Sequence, residues 1–190
     1  MQPTMRYLID GYNLLHAIGA IRHGMGPAQL KSARLRLGAM LKRMHATNDT
    51  DVTVVFDAAG APRGAAEIEE YDGIRFHYAV HQSEADDLIE ELIRRDPVPR
   101  QLAVVSDDHR LQRAARRRGC RVLACSAYLD ELEQRPAKGK SGTSDEKPAS
   151  GLGLLDHFLA EFSDLENDPD LKPFFDLDRF PEAETKPEEP

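Results

Sequence analysis

The chain has 190 residues, of which 41% are hydrophobic and 31% are charged, and its net charge at neutral pH is −8. This composition excludes collagen-like and wholly disordered proteins, and no apolar run approaches the roughly 18 residues that a transmembrane helix requires. Residues 1–135 contain 19 basic and 19 acidic residues, whereas residues 151–190 contain 3 basic and 12 acidic residues, so the negative charge belongs to the C-terminal tail.

Strands and helices alternate along the first 134 residues. Strands are predicted over five mainly apolar segments, at residues 7–9, 52–56, 74–80, 102–105 and 120–124. Helices are predicted where apolar residues recur three or four positions apart, at residues 27–45, 83–95, 109–118 and 126–134. Asp10-Gly11 is interpreted as a sharp turn and residues 58–72 as a loop. The alternation predicts an α/β fold with a parallel sheet and helices on both faces.

The remainder of the chain has a different composition. Residues 135–151 are rich in Pro, Gly, Ser and Lys and predict a flexible linker after a first domain over residues 1–134. Residues 152–190 are predicted to form an acidic amphipathic helix followed by a disordered tail, and they hold five of the seven phenylalanines. Such a segment suits docking on the chain's own core or on a protein partner, and the alternative is a terminus without a role.

Two further features concern the cellular compartment. The N-terminal residues lead directly into a strand and lack the long apolar segment of a signal peptide, so we expect a cytoplasmic protein that does not contact membranes. The only cysteines, Cys120 and Cys125, are too few for a disulfide framework or a zinc site, and we expect both to be buried thiols.

Acidic side chains follow the predicted strands. Asp10, Asp57 and Asp107 each close a strand, and Glu84, Asp86 and Asp87 lie in the first turn of the helix after the third strand. Because the carboxyl ends of parallel strands meet at one edge, we expect these carboxylates to converge there. Carboxylates that lie close together repel one another, and Mg²⁺ or Mn²⁺ relieves that repulsion. The alternative is that each acid only caps or begins a helix.

Other chemistries of α/β proteins fit this sequence less well. A phosphatase of the haloacid-dehalogenase type needs a second Asp two places after the first, where this chain has Tyr12. The pair Asp107-Asp108 is adjacent, whereas a Toprim site needs one residue between its two acids. No glycine-rich phosphate loop follows the first strand, and this also disfavours an enzyme that acts on small phosphorylated metabolites.

Four acidic segments resemble those of the NYN domain family, a PIN-like group, and most closely its YacP-like branch of bacterial ribonucleases: IDGYN at residues 9–13, VVFD at 54–57, EADD at 84–87 and VVSD at 104–107. The resemblance covers roughly residues 5–132. It implies a three-layer α/β/α fold with a five-stranded parallel sheet in the order 3-2-1-4-5. It also implies metal-dependent cleavage of RNA.

The resemblance also implies roles for individual residues. Asp10, Asp57, Asp86 and Asp107 match the family's acidic positions, Asp87 stands where relatives have an acid, and Asn13 matches a residue that would orient Asp10 or a phosphate. Around the helix of residues 84–95, Asp86 and Glu84 border the apolar stripe, whereas Asp87 points away from it. We therefore expect Asp10, Asp86 and Asp107 to be catalytic, Asp57 and Asp87 to complete a metal site, and Asn13 and Glu84 to support it.

The predicted function is that of a metal-dependent ribonuclease, an endonuclease, that hydrolyses single-stranded or unpaired RNA with Mg²⁺ or Mn²⁺. The alternative is a non-catalytic module of the same fold that binds RNA or the ribosome. Expected partners are RNA and, through the family resemblance, the translation machinery. The expected phosphate contacts are Arg110, Arg113, Arg117, Lys31 and Arg34, although such charges also occur on solvated helix faces. Tyr12 and Tyr78 are candidates for base stacking, with packing as the alternative.

Overall fold

The computed structural model describes residues 5–21, 24–45, 50–57, 67–71, 73–80 and 84–134. The predicted linker, amphipathic helix and acidic tail lie outside the described residues. The domain boundary at residue 134 therefore stays a prediction. None of the described helices is both long enough and apolar enough to cross a membrane.

The described strands form one six-stranded sheet: β1 (Arg6–Asp10), β2 (Asp51–Asp57), β3 (Ile68–Tyr71), β4 (Ile74–Ala79), β5 (Leu102–Val105) and β6 (Arg121–Leu123). The spatial order is β3-β4-β2-β1-β5-β6. All neighbouring strands are parallel except β3 and β4, which are antiparallel. The five parallel strands stand in the expected order 3-2-1-4-5, but the antiparallel strand β3 adds a sixth strand at one edge, so the prediction of a five-stranded, wholly parallel sheet is corrected.

The strand β3 shows that the prediction of a loop over residues 58–72 is wrong at residues 68–71. It is a short edge strand of sequence IEEY, so it has no apolar alternation by which it could be recognised. Charged residues are common on edge strands, where they discourage pairing with other chains. Only two residues separate β3 from β4, and the second, Gly73, has φ of +85°. The sequence Asp-Gly at positions 72–73 is typical of a two-residue hairpin turn.

Five α-helices of the described residues surround the sheet: α1 (Gly11–Ala17), α2 (Pro27–His45), α3 (Ala85–Arg95), α4 (His109–Arg118) and α5 (Cys125–Glu133). The interpretation of Asp10-Gly11 as a turn is wrong, because α1 begins directly at Gly11 with Asp10 as its N-cap. A side chain that accepts a hydrogen bond from the backbone N–H three residues later can begin a helix without an intervening loop.

Side chains alternate between the two faces of the sheet and build two cores. Ile9 of β1 packs in the core beneath α1, α2 and α5, whereas its neighbour Leu8 packs in the core beneath α3 and α4. Strands covered on both faces are apolar throughout, as in β5, where all four residues are buried. The three-layer α/β/α prediction is confirmed, and so is the burial of Cys120 and Cys125.

Candidate functional site

The carboxyl ends of β1, β2 and β5 lie side by side at one edge of the sheet, because β1 pairs in parallel with both of the others. Asp10 ends β1, Asp57 ends β2, and Ser106, Asp107 and Asp108 follow β5. The first turn of α3 carries Asp86 and Asp87. We call this the acidic edge of the sheet.

Asp10 is the most enclosed carboxylate of the acidic edge, with only 4% of its surface exposed. The backbone N–H of Asn13 donates to Oδ1 at 3.1 Å, and the Asn13 side chain donates to Oδ2 at 2.5 Å. Ser106 also donates to Oδ2, at 3.2 Å. Burial raises the pKa of Asp10 despite these hydrogen bonds, which favour the charged form. The structure thus brings Asn13 to Asp10 and gives Asp10 a fixed orientation.

Gly11 permits the tight transition from β1 into α1. A Cβ atom placed on Gly11 would lie 2.2 Å from Cε1 of Phe56, so the ring occupies the space that any side chain would need. Phe56 is completely buried and contacts Tyr12 in an edge-to-face arrangement. Because Gly11 has no side chain, the first turn of α1 and Asp10 can lie close against the sheet.

Asp86 lies half-buried in the first turn of α3, and its side chain forms no hydrogen bond with the described part of the chain. Burial raises its pKa, and the negative charges of Asp10 and Asp108 raise it further. The charge of Asp108 also raises the pKa of Asp10. The charge of Asp108 thus acts on both Asp10 and Asp86, and the charge of Asp10 acts on Asp86. We call these three residues the carboxylate trio.

Asp107, rather than Asp108, is the predicted site residue at the end of β5. In the structure Asp107 is exposed, and its Oδ1 accepts the backbone N–H of Cys125, the first residue of α5, at 2.9 Å. Asp108 caps α4, and its Oδ1 accepts the backbone N–H groups of Arg110 and Leu111. The sequence predicts that an acid at this position caps a helix. It does not predict that the charge of Asp108 also raises the pKa of Asp10.

Ser106 lies between β5 and Asp107 and contacts Asp10, although the sequence predicts no role for it. It is 1% exposed, and its Oγ accepts the backbone N–H of Asp108 at 3.0 Å while donating to Asp10. One buried hydroxyl thus joins the end of β1 to the start of α4. Its role has no sequence signal, because Ser106 and Asp10 are 96 positions apart.

Asp87 and Glu84 lie beside the trio rather than within it. Asp87 accepts from Nη2 of Arg110 at 2.7 Å, so its carboxylate is held in an ion pair with α4. This agrees with the expectation that Asp87 points away from the apolar stripe. Glu84 is exposed and makes no side-chain capping bond, although its charge contributes to the raised pKa of Asp86. Asp57 is half-buried at the end of β2.

The donor types at the acidic edge suit a hard divalent cation, since carboxylate oxygens are the ligands that Mg²⁺ and Mn²⁺ prefer. The raised pKa values of Asp10 and Asp86 are what a bound cation would reverse. Within the described ranges, however, no group of three or more His, Cys, Asp or Glu residues is close enough to hold a metal ion. The predicted ligands share an edge without forming a closed ligand set.

The arginines and lysine that were expected to contact RNA fall into two groups. Arg34 is only 2% exposed, donates to the Tyr12 hydroxyl at 3.2 Å and lies over the rings of Phe56 and Tyr78. It is therefore a packed core residue, and so is Tyr78, which is 2% exposed. An arginine buries its charge in this way when aromatic faces and a hydroxyl replace water.

The remaining cations are more accessible but not all of them are free. Arg110 donates to Asp87 and, through Nε, to Glu90 at 2.8 Å, so it joins α4 to α3. Lys31 is half-buried on α2. Arg113 and Arg117 are exposed on α4 and remain available for the expected contacts.

Known proteins resemble this chain in sequence and in fold. The sequence model of the YacP-like NYN domain matches residues 7–165, which extends past the predicted domain end at residue 134. The chain is similar to the crystal structure of Rae1 (YacP) from Bacillus subtilis, at 17% identity and a TM-score of 0.54, over 88% of this chain and 85% of that chain. No curated protein sequence matches the chain.

A crystal structure of a tryptophan-to-leucine mutant of Rae1 is also similar, at 23% identity and a TM-score of 0.52, over 68% of this chain and 76% of that chain. At these identities the likeness of the structures concerns the fold. The family match covers most of the chain and includes every member of the carboxylate trio. The chain therefore belongs to the YacP-like NYN domain family, whose fold is nuclease-like.

Proposed function

We propose that this protein is a metal-dependent ribonuclease that hydrolyses phosphodiester bonds in single-stranded or unpaired RNA. The observation that carries the proposal is the carboxylate trio, in which the pKa values of Asp10 and Asp86 are both raised and each is raised in part by neighbouring negative charge. Groups with such perturbed ionisation, gathered at the carboxyl edge of a parallel sheet, are typical of catalytic sites.

The residues at the edge have separable tasks in this proposal. Asp10 and Asp86 would bind Mg²⁺ or Mn²⁺ together with water and phosphate oxygens, and Asp57, Asp107 and Asp108 lie at the same edge as further oxygen donors. When bound, the cation would lower the pKa of a water molecule and stabilise the charge that develops on the scissile phosphate. Asn13 and Ser106 hold Asp10 in place.

Asp10 retains capacity to bind a cation despite its hydrogen bonds. A carboxylate offers about four lone-pair positions. Asn13 and Ser106 both donate to Oδ2, whereas Oδ1 accepts only the backbone N–H of Asn13. Oδ1 is therefore the atom of Asp10 best placed to face a cation, and Asp86 contributes both of its oxygens.

The proposal includes endonucleolytic cleavage, a cytoplasmic location and a role in RNA decay. Support for these finer points comes from the family, through the resemblance of the acidic segments. The acidic edge is open to solvent at Asp107, which is exposed, so a strand of RNA has access to it. The ribosome and the translation machinery are the proposed sites of action.

The test is cleavage of a labelled single-stranded RNA by the protein and by Asp86→Asn, with Mn²⁺ or Mg²⁺ supplied. Asp86→Asn is the preferred variant because it removes a charge without breaking a hydrogen bond in the described structure. We expect a loss of at least about a hundredfold, since a carboxylate that binds a catalytic cation contributes several kcal/mol. Asp130→Asn, on the exposed side of α5, is the matched control and should retain full activity.

Further results distinguish an endonuclease from the other candidate functions. Cleavage of a circular RNA, which has no ends, would show endonuclease activity, and cleavage of linear RNA alone would contradict it. Equal activity of the protein and Asp86→Asn would remove Asp86 from the site. Binding of RNA without cleavage under any metal would instead favour the non-catalytic RNA- or ribosome-binding module.

A further inference from the structure

A shallow cleft of about 410 Å³ lies at the edge of the sheet opposite the acidic edge. It is formed by the last turn of α4 and the segment that leads into β5, and both lie at the amino ends of the parallel strands. Four arginines line it together with two prolines, Val98 and Gly119: Arg100, Arg116, Arg117 and Arg118. We call it the arginine cleft.

None of these four arginines forms an ion pair with a carboxylate of the described residues. The side chains of Arg100 and Arg117 form no hydrogen bond in that part of the chain, and both residues are exposed. Arg116 donates to the neutral side chain of Gln112 at 3.2 Å. Arg118 donates to a backbone carbonyl, that of Asp96, at 3.0 Å. The nearby carboxylate of Asp96 is itself paired with Arg6, at 2.5 Å.

Helix capping alone does not account for this concentration of charge. The C-terminus of a helix carries a partial charge of about −0.5, which favours one cation in the last turn. The arginine cleft gathers four positive charges around one concave surface, so an anion bound there would be attracted by all of them. The exposed side chain of Val98, 42% accessible, adds an apolar surface beside them. Guanidinium groups next to apolar surface suit the phosphates and bases of a nucleic acid.

The structure also separates residues that the sequence grouped as one basic helix. Arg110, at the first turn of α4, is held by Asp87 and Glu90 at the acidic edge. Arg117, two turns further on, faces the arginine cleft. The exposed Arg113 lies between them. Because α4 has ten residues, about 15 Å separates the two edges along the helix.

We infer that the arginine cleft binds the phosphate backbone of an RNA strand whose other part lies at the acidic edge. This inference rests on the proposed ribonuclease function for its choice of ligand. A strand that follows α4 would meet Arg113 on the way from one edge to the other. The cleft thus anchors the substrate about one helix length away from the scissile phosphate, and it contributes affinity without reading sequence.

The test compares two charge-matched double variants of the 190-residue chain. Arg100→Gln with Arg117→Gln removes two charges of the cleft and breaks no hydrogen bond in the described structure. Lys42→Gln with Arg43→Gln removes two exposed charges from the last turn of α2, on the other face of the sheet. Thermal melting checks that both fold. Each is titrated with a labelled single-stranded RNA by fluorescence anisotropy, in EDTA and at several salt concentrations.

We expect the cleft variant to bind RNA about tenfold more weakly and the control variant to bind almost as the unchanged protein does. The slope of log K against log salt concentration should fall by about 1.4 in the cleft variant, since each phosphate contact on a single strand contributes about 0.7. Equal affinities and equal slopes for the two variants would overturn the inference.

A titration with polyglutamate separates RNA from an acidic protein. If polyglutamate binds more tightly than RNA and depends on Arg100 and Arg117, the cleft is a protein-docking surface and the inference is wrong. The assay needs no divalent metal, so it does not depend on cleavage. RNA binding through the cleft by a protein that never cleaves would contradict the proposed function alone, whereas cleavage with cleft-independent affinity would contradict this inference alone.

Discussion

The carboxyl groups of Asp10 and Asp86 are held where ionisation is unfavourable. Burial is the main cause at both residues, and negative charge from other members of the carboxylate trio adds to it. A carboxyl group whose pKa is raised in the folded state binds a proton more tightly there than in the unfolded chain. Its contribution therefore favours folding most below the unfolded pKa of about 4, and it is lost as the pH rises through the folded pKa.

Asp86→Asn should accordingly stabilise the metal-free protein at neutral pH. The amide keeps the shape of the side chain and removes the repulsion from Asp10 and Asp108. We expect Tm at pH 7 to rise by about 1–3 °C and the gain to shrink as the pH falls and the carboxyl group of Asp86 takes up a proton. Differential scanning calorimetry from pH 4 to 7 measures this, with Asp130→Asn as control. A lower Tm for Asp86→Asn at pH 7 would contradict the repulsion described here.

Gly11 is the residue at which packing sets the position of the acidic edge. Gly11→Ala should destabilise the fold by about 1–3 kcal/mol, because the new Cβ would overlap the buried ring of Phe56. Urea unfolding measures the change. Gly26→Ala is the matched control, since a Cβ there would meet no atom within 4 Å and its φ is not positive. Equal stability of the two variants would show that the Phe56 ring moves aside freely.

At the scale of secondary structure elements, Arg110 adds ion pairs to the apolar packing between α3 and α4. Arg110 donates to Asp87 and Glu90 of α3, while the residue two places before it, Asp108, caps α4. The ion pairs are exposed and contribute little to global stability. They do place a positive charge beside the first turn of α3, and that charge lowers the pKa of Asp86 against the effect of its acidic neighbours.

Arg110→Gln should therefore raise the pKa of Asp86 and leave the fold intact. The pKa is measured from the carboxyl carbon resonance of Asp86 in an NMR titration of the metal-free protein. Arg95→Gln is the control, because Arg95 pairs with Glu91 at the far end of the same helix. An unchanged pKa in Arg110→Gln would mean that solvent screens Arg110 from Asp86.

At the scale of the whole molecule, opposite charges lie at opposite edges of one sheet. The acidic edge gathers carboxylates at the carboxyl ends of the strands, and the arginine cleft gathers guanidinium groups at the amino ends. Helix α4 runs between them and contributes to both, through Asp108 at its start and Arg117 near its end. This arrangement separates the proposed chemistry from the proposed anchoring of the substrate.

Mn²⁺ should stabilise the protein through the acidic edge. A ligand that binds only the folded state at a hundred times its Kd adds about 2.7 kcal/mol, so we expect a clear rise in Tm on titration. Asp86→Asn should reduce that rise strongly, whereas Asp130→Asn should leave it unchanged. The same rise in all three proteins would place any bound Mn²⁺ outside the trio.

Much of the fold was predictable from the sequence because local patterns encode it. The five parallel strands show as apolar segments, their order follows from the family resemblance, and Asp10 and Asp86 were selected by their places after a strand and in a first helical turn. The edge strand β3 escaped because a polar strand of four residues has no apolar period. Helix α1 was not predicted because Asp-Gly is typical of a turn, whereas here Asp10 is the N-cap of the helix.

The sequence by itself determined the α/β architecture and the edge at which the carboxylates gather, since strand direction and helix starts depend on residues near one another in the chain. Only the tertiary structure decided which partner each charged side chain takes. It buries Arg34 against aromatic rings, pairs Arg110 with α3 and joins Ser106 to Asp10. It also leaves the arginine cleft without a carboxylate partner among the described residues. Those choices depend on burial and on contacts between residues about 20 to 100 positions apart, which no local pattern records.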